Sequence, residues 1–239
     1  MSFKDKIYEN YISYHNQHLS GRPSIEKFQK QFPANEFYLR RHLPENKKSK
    51  ILDIGCGDGN LVYWMQKMGY NEAAGVDISP EQINAGLSLD VRNLYEGGLL
   101  GFLNDKMDFF DLIIARDVFE HFTKDAFLEA LIAIKKSLSA SGRLIIQVPN
   151  GEGIHMGSIL YADATHESAY TVSSLRQLAL CAGFKKVVVF PVDPKSQGVK
   201  GIIRSLFWRL KASNVKFWRY IERGDPGGPV TANILAIIE

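Results

Sequence analysis

Residues 51–59, Ile-Leu-Asp-Ile-Gly-Cys-Gly-Asp-Gly, constrain the fold of this chain more than any other segment. The apolar run from Ile51 to Ile54 is typical of a central strand in a parallel sheet. The glycines that follow let backbone amides approach a ligand closely, because glycine has no Cβ atom. A second apolar strand ends at Asp77. The pattern predicts a strand-turn-helix unit that binds a nucleoside, with the Asp77 carboxylate accepting hydrogen bonds from the ribose hydroxyls.

The spacing of the glycines indicates which nucleoside the turn binds. Dinucleotide-binding turns carry glycines at relative positions 1, 3 and 6. Here Gly55, Gly57 and Gly59 fall at positions 1, 3 and 5, and Asn60 occupies the sixth position. Asp53 would be poorly placed beside a pyrophosphate but well placed near the ammonium group of an amino-acid moiety. The spacing therefore argues against a nicotinamide-dependent dehydrogenase.

At these residues the chain resembles the class I S-adenosylmethionine-dependent methyltransferases, whose first motif commonly reads Leu-Asp-Ile-Gly-Cys-Gly-x-Gly. Residues 52–59 match that motif, and residues 76–80, 110–121 and 138–148 resemble later motifs of the family. The resemblance covers roughly residues 48–190 and implies S-adenosylmethionine as the cofactor. The cofactor-binding residues that it implies are Asp53, Gly55, Cys56, Gly57, Gly59, Asp77, Ile78, Gly98, Leu99 and Arg116.

One position departs from the family pattern. Members of the family often carry an acidic residue at the end of the third strand, where it receives the adenine amino group. This chain has Gly98 at that position. We therefore expect backbone groups of Gly98 and Leu99, together with apolar packing, to hold the adenine.

The alternation of strands and helices from residue 50 onward predicts an α/β fold. We expect a single Rossmann-like, doubly wound and mostly parallel sheet whose last strand, residues 234–238, is antiparallel. With 239 residues and 45% hydrophobic composition, the chain has room for one such domain and an embellishment. Residues 1–47 are interpreted as an N-terminal helical cap and residues 48–239 as the methyltransferase domain. Within the cap, Pro23 is expected to start one helix and Pro44 to end another.

Composition limits the cellular setting and the metal chemistry. There is no run of 18 apolar residues and no apolar signal core at the N-terminus, so we expect a cytoplasmic protein, with a peripheral position at the inner membrane face as an option. Cys56 and Cys181 are too few for a disulfide framework or a zinc site. Asp117 and Asp163 are weak evidence for a divalent metal, and we expect none.

A long polar and aromatic loop, residues 149–172, follows the fifth strand and is expected to hold the methyl acceptor, because such loops line the ligand crevice of open parallel sheets. Imidazole titrates near working pH, so His166 is the first candidate for a general base and His155 the second. The alternative for each is a hydrogen-bonded loop histidine that moves no proton. His121 is interpreted mainly as a structural residue near the cofactor.

The second unusual segment is basic. Residues 195–223 contain eight basic residues and one acid, a local charge of +7, so the rest of the chain carries −4. Within it, residues 199–223 form an amphipathic helical insertion whose basic residues fall mostly opposite the apolar side, with a break expected at Ser213 and Asn214. Such a segment can contact anionic lipid. Alternatively it packs on this protein or on a second subunit, as in a homodimer. We expect no nucleic-acid partner, because no RNA-binding module accompanies the charge.

Residues 163–184 resemble a subgroup of bacterial methyltransferases associated with surface-polysaccharide and glycolipid assembly, whose members tend to carry a similar basic insertion. The resemblance implies O-methylation of a saccharide or a lipid-linked saccharide. Alternatives are methylation of a quinone-like or other secondary metabolite, and a non-catalytic module that binds the cofactor.

Overall fold

The computed structural model describes residues 3–16, 23–194 and 198–239. They form a seven-stranded sheet with the strand order β3-β2-β1-β4-β5-β7-β6. The strands are β1 (Ile51–Ile54), β2 (Ala73–Asp77), β3 (Leu94–Glu96), β4 (Phe110–Arg116), β5 (Leu138–Pro149), β6 (Val187–Pro191) and β7 (Asn233–Ile238). Strand β7 is antiparallel to both of its neighbours, and the other pairings are parallel. The predicted Rossmann-like fold with an antiparallel last strand is confirmed.

Nine α-helices are described around this sheet. They are α1 (Phe3–Glu9), α2 (Ile25–Leu39), α3 (Asn60–Lys67), α4 (Pro80–Leu87), α5 (Leu99–Leu103), α6 (Lys124–Ser137), α7 (Met156–Leu160), α8 (Val172–Cys181) and α9 (Gly198–Arg223). A π-helical turn, Ile12–Asn16, follows α1.

The N-terminal region is helical, as the sequence predicts. Helix α2 begins just after Pro23, where the Ser24 side chain accepts a hydrogen bond from the Lys27 amide, and a short 3₁₀ turn follows it before Pro44. Residues 1–2 and 17–22 of the expected cap, and Lys195 of the basic segment, lie outside the described residues. The boundary between cap and domain at residue 47 stays a prediction.

Both faces of the sheet are covered by helices, because the central strands alternate their side chains between two apolar clusters. Leu52 and Ile113 pack on one side with residues of α5, α6 and α8. Ile51 and Leu112 pack on the other side with residues of α2, α3 and α4. The two layers bury the central strands almost completely, which gives the ends of these strands a fixed position.

The strand order places a topological switch point beside β1. The chain passes from β1 to β2 and β3 on one side and then returns to β4 on the other side. Ile54 pairs with Val76 of β2 and with Ala115 of β4, so these three strands end at the same level. Ligands in open α/β sheets bind at such a point, beyond the carboxyl ends of the strands.

The basic insertion differs from its prediction. Helix α9 runs without a break through Ser213 and Asn214, so the expected division into two helices is wrong. Both residues are exposed, so their side chains can point to solvent without interrupting the helix.

Helix α8, which follows the acceptor loop, is fixed at its start by a capping box. The Thr171 side chain accepts a hydrogen bond from the Ser174 amide, and the Ser174 side chain accepts one from the Thr171 amide. We expect Thr171→Ala to lower the free energy of unfolding by about 1 kcal/mol, measured by urea denaturation. Ser173→Ala, at an exposed position in the same helix, is the matched control. Equal losses in the two variants would contradict the capping role.

Candidate active site

The turn after β1 requires its glycines. Gly55, Gly57 and Gly59 have φ angles of +64°, +55° and +78°, in the left-handed region that favours glycine. A Cβ atom on Gly55 would lie 2.3 Å from a methyl carbon of Val118. The amides of Gly55 and Cys56 donate to the carbonyl of Val76, which joins the turn to β2. The sequence motif therefore forms a tight turn with its backbone exposed toward the switch point.

Asp77 organises the same turn from the end of β2. Its carboxylate accepts a hydrogen bond from the Gly57 amide at 2.9 Å and another from the Ser79 amide at 2.8 Å. Burial raises the pKa of this carboxyl, and the amide hydrogen bonds oppose the rise. Each carboxylate oxygen keeps further acceptor capacity. A ligand with two neighbouring hydroxyl groups can therefore bind Asp77 from the cleft.

A cleft of about 220 Å³ opens over the turn. It is lined by Tyr8, Tyr11, Ile54, Gly55, Gly57, Val76, Asp77, Ile78, Ser79, Gln82, Gly97, Leu99, Asp117, Val118, His121 and Phe122. Of the ten predicted cofactor residues, five belong to this lining: Gly55, Gly57, Asp77, Ile78 and Leu99. The other five, Asp53, Cys56, Gly59, Gly98 and Arg116, lie outside it. These assignments stay predictions.

Asp53 and Arg116 lie behind the turn, at the ends of β1 and β4. Asp53 is 4% exposed, and burial raises the pKa of its carboxyl to about 7, against the opposing effect of the nearby Arg116. Arg116 donates to the side-chain oxygen of Asn35 in α2 at 3.0 Å. The two residues thus lie beneath the cleft, and Arg116 connects it to helix α2.

Two of the predicted residues pack against neighbouring residues, and a third, Gly98, is exposed beside the cleft lining. Cys56 is buried against Gly75, where an added Cβ atom would lie 2.6 Å from the Cys56 Cβ atom, and burial raises the pKa of the Cys56 thiol. Gly59 packs closely on Leu94 and begins α3. Gly98 is exposed and begins α5, while its neighbour Gly97 belongs to the cleft lining.

The N-terminal segment of the predicted helical cap borders the cleft, and the sequence analysis did not name the side chains that line it. Tyr8 and Tyr11, three residues apart, project into it. The Ser13 hydroxyl donates to the Glu81 carboxylate at 2.7 Å, which ties the segment to α4. On the other side, Lys4 forms an ion pair with Glu167 at 2.6 Å. The spacing of the two tyrosines on one helical face was the available signal.

Two histidines meet beside the cleft. The rings of His121 and His166 contact edge to face, with centroids 4.7 Å apart, and His121 belongs to the cleft lining. His166 Nδ1 donates to the carbonyl of Ile159 at 3.1 Å. The Thr165 hydroxyl donates to Asp163, so it accepts from His121 Nδ1 at 2.7 Å. In each ring, Nε2 is therefore the nitrogen that carries a lone pair.

The ring of His121 is neutral at working pH. Burial, followed by the nearby His166, lowers the pKa of His121 to about 4. A neutral imidazole with a free lone pair can accept a proton or a hydrogen bond from a ligand in the cleft.

Glu120 lies directly behind the histidine pair. The residue is 1% exposed. Burial, followed by the neighbouring Asp117, raises the pKa of its carboxyl to about 9. The Oε2 atom has no hydrogen-bond partner among the described residues. Glu120, His121 and His166 each offer a ligand atom within 4.8 Å of the others, so the group could hold a metal ion. The expectation of no metal stays a prediction.

His155, the second candidate base, occupies a different place. It is exposed, and its Nε2 atom lies 3.3 Å from the Lys211 ammonium of α9. The described lining of the cleft contains His121 but neither His155 nor His166, and His166 reaches it only through its ring contact with His121. The structure therefore brings His166 and His121 together and leaves His155 beside the basic helix.

Comparison with known proteins gives a family match that includes the glycine turn and Asp77. The sequence profile of a family described as a methyltransferase domain matches residues 27–189. A tRNA U34 carboxymethyltransferase of Cellvibrio japonicus is 28% identical over 173 residues, which are 64% of this chain and 50% of that protein. An ajmaline N-methyltransferase of Rauvolfia serpentina is 29% identical over 110 residues, 43% of this chain and 36% of that protein. The chain thus spans half or less of the length of these two relatives.

Solved structures share the fold. A methyltransferase of Archaeoglobus fulgidus superposes with a TM-score of 0.63 at 22% identity, covering 89% of this chain and 96% of that one. Phosphoethanolamine N-methyltransferase 2 of Haemonchus contortus, in complex with S-adenosylmethionine, superposes with a TM-score of 0.61 at 15% identity, covering 97% of this chain and 59% of that one.

Proposed function

Because this chain belongs to the methyltransferase-domain family and is an S-adenosylmethionine-dependent methyltransferase, we propose that it methylates a hydroxyl oxygen of a saccharide or of a lipid-linked saccharide. The observation that supports an oxygen acceptor is the histidine pair beside the cleft. A sugar hydroxyl is poorly acidic, so its oxygen becomes a good nucleophile when a base removes its proton.

The cofactor fits the residues of the cleft. Asp77 presents a half-buried carboxylate with free acceptor capacity for the ribose hydroxyls, and the glycine turn leaves its backbone uncovered beside it. The carboxyl group of Asp53 behind the turn can accept a hydrogen bond from the ammonium of the methionine part, and a nearby positive charge favours its ionised form. When bound, S-adenosylmethionine supplies an activated methyl group. The protein then mainly has to align the acceptor with it and exclude water.

The proposed base is His166, supported by its contact with His121 and by the Nδ1 hydrogen bond to Ile159 that directs its lone pair to Nε2. His121 belongs to the cleft lining and contacts His166, which lies just outside that lining. Tyr8 and Tyr11 form the aromatic wall that faces them. Aromatic rings and several hydrogen-bonding groups around one cleft are suited to a polyhydroxylated acceptor.

The proposal is tested by transfer of labelled methyl groups into an extract of the source organism. The extract is separated into organic-soluble, small-molecule, nucleic-acid and protein fractions after incubation with the enzyme. We expect label in organic-soluble material or in nucleotide sugars. Label confined to nucleic acid or to protein would contradict the proposal. A parallel incubation with Asp77→Ala enzyme measures transfer by other enzymes of the extract.

A further inference from the structure

Helix α9 is unusual because its large apolar side chains are exposed. None of its 26 residues is buried. Val199 is 74% exposed and Phe207 is 66% exposed. The exposed apolar side chains of the helix are Val199, Ile202, Ile203, Leu206, Phe207, Leu210, Phe217, Trp218, Tyr220 and Ile221. The described part of the protein therefore does not use the apolar side of α9 for its own packing.

The opposite side of the helix contacts the protein. At about 100° per residue, the partly covered positions follow one another every three or four residues along one side. They are Gly201, Ser205, Trp208, Ala212, Val215 and Arg219. The helix thus turns a narrow face of mostly small or polar residues inward, and its apolar face points away from the sheet. The interpretation in which the apolar side packs on this protein is wrong for the described residues.

Polar contacts hold α9 in this orientation. Arg219 forms an ion pair with Glu152 at 3.5 Å and also donates to the carbonyl of Glu152. The indole nitrogen of Trp208 donates to Asp193 at 3.0 Å. Lys211 contacts His155. Glu152 and His155 belong to the loop after β5, so the helix is attached to the loop in which the acceptor is expected to bind.

Five of the seven basic residues of the helix lie along the two borders of the apolar face. Lys200, Arg204 and Lys211 follow one border, and Arg209 and Lys216 follow the other, at about 100° per residue. The sequence analysis had placed most of them opposite the apolar side. With seven basic residues against Glu222, the helix carries a charge of +6. An apolar strip between two basic borders is typical of helices that lie in a membrane interface, where long basic side chains reach the headgroups.

Other arrangements fit these observations less well. No helix of the described residues is long and apolar enough to cross a membrane. A second copy of the chain could cover the apolar strip with its own helix α9. That helix also carries a charge of +6, so the two helices would repel each other. Anionic lipid supplies both the apolar layer and the opposite charge.

We propose that α9 lies in the plane of an anionic lipid bilayer, with its apolar strip at the boundary of the acyl chains and its basic borders on the lipid phosphates. The inference goes beyond the proposed function, because binding does not depend on which acceptor is methylated. A docked helix would hold the loop after β5 beside the membrane, where a lipid-linked acceptor is presented.

Vesicle flotation tests this proposal with the 239-residue chain. We expect binding to vesicles of phosphatidylglycerol and phosphatidylethanolamine, and at least tenfold weaker binding to pure phosphatidylcholine. The double variant Phe207→Glu/Trp218→Glu should lose at least tenfold in binding, since it places charge in the apolar strip. Lys200→Glu/Arg204→Glu should lose at least tenfold at low salt, because each removed charge contributes about fivefold. Raising the salt concentration should weaken the binding of the wild-type protein to anionic vesicles.

Met107→Glu is the matched control, because Met107 is 72% exposed and lies outside α9. It should bind vesicles like the wild type. All variants should bind S-adenosylhomocysteine normally, which shows that the fold and the cofactor cleft are intact. Absence of vesicle binding, or equal binding to phosphatidylcholine, would overturn the proposal. So would a dimer that dissociates in the Phe207→Glu/Trp218→Glu variant, or binding to nucleic acid but not to vesicles. None of these results depends on methyl transfer.

Discussion

Replacing Asp77 with alanine is expected to weaken the binding of S-adenosylhomocysteine by about 100-fold. Hydrogen bonds to a charged group contribute about 1.5 to 3 kcal/mol each, and this carboxylate is proposed to hold two ribose hydroxyls. A loss of about 2.8 kcal/mol corresponds to 100-fold in the dissociation constant. The variant also removes the acceptor of the Gly57 and Ser79 amides, so the glycine turn loses part of its support. Isothermal titration calorimetry measures the change.

Two further variants define the cause of that loss. Asp77→Asn keeps the shape of the side chain, but its NH₂ group would face one of the two amide donors, so we expect it to bind weakly as well. Asp105→Ala removes an exposed carboxylate from a surface loop outside the cleft lining and should bind the cofactor product normally. Wild-type affinity in Asp77→Ala would refute the assignment of this residue to the ribose.

The sheet and the glycine turn were predictable because their signals are local. An apolar run of four residues followed by glycines at fixed spacing specifies a buried strand and a left-handed turn, wherever the rest of the chain lies. The same holds for Asp77, whose position at the end of β2 follows from the strand pattern. The structure adds the reason for the spacing, since the Asp77 carboxylate binds the Gly57 amide across the turn.

The part of the cleft formed by the N-terminal segment and the loop after β5 was less predictable, because it depends on contacts between residues distant in sequence. Tyr8 and Tyr11 reach the cleft through the tie between Ser13 and Glu81, which are 68 residues apart. Nothing in the local pattern of residues 3–16 states where that segment docks. The loop after β5 was identified correctly as polar and long. Its two candidate histidines lie in different surroundings, since His155 contacts Lys211 and His166 contacts His121. This difference arises from the folded path of the loop, which the local sequence pattern does not show.

Helix α9 illustrates a different limit. Its amphipathic pattern predicts a helix with one apolar face, yet the pattern is identical whether that face packs inward or points to a partner. The orientation is set by the polar contacts of Trp208 and Arg219 with residues of other loops. Those contacts become visible when the whole fold is in place.

Replacing His166 with glutamine is expected to lower kcat by about 100-fold while leaving cofactor affinity unchanged. General-base catalysis contributes about 10²- to 10⁴-fold, and glutamine keeps a polar side chain without a group that accepts a proton near neutral pH. The measurement is turnover of the acceptor identified by the labelling experiment. His42→Gln, a histidine that packs on Phe190 outside the cleft lining, is the control and should keep full turnover.

The His166 experiment also separates the three histidines near the acceptor loop. If His155 is the base, the His155→Gln variant loses turnover and the His166→Gln variant keeps it. Helix α9 would then border the catalytic base through the contact between Lys211 and His155. If His121 is the base, its pKa of about 4 keeps it deprotonated at neutral pH, so turnover should fall on acidification only as the pH approaches 4. Loss of turnover with a chelator, restored by a divalent cation, would instead make Glu120, His121 and His166 metal ligands. Full turnover in the His166→Gln variant would remove the base assignment, because glutamine cannot take the proton from the acceptor near neutral pH.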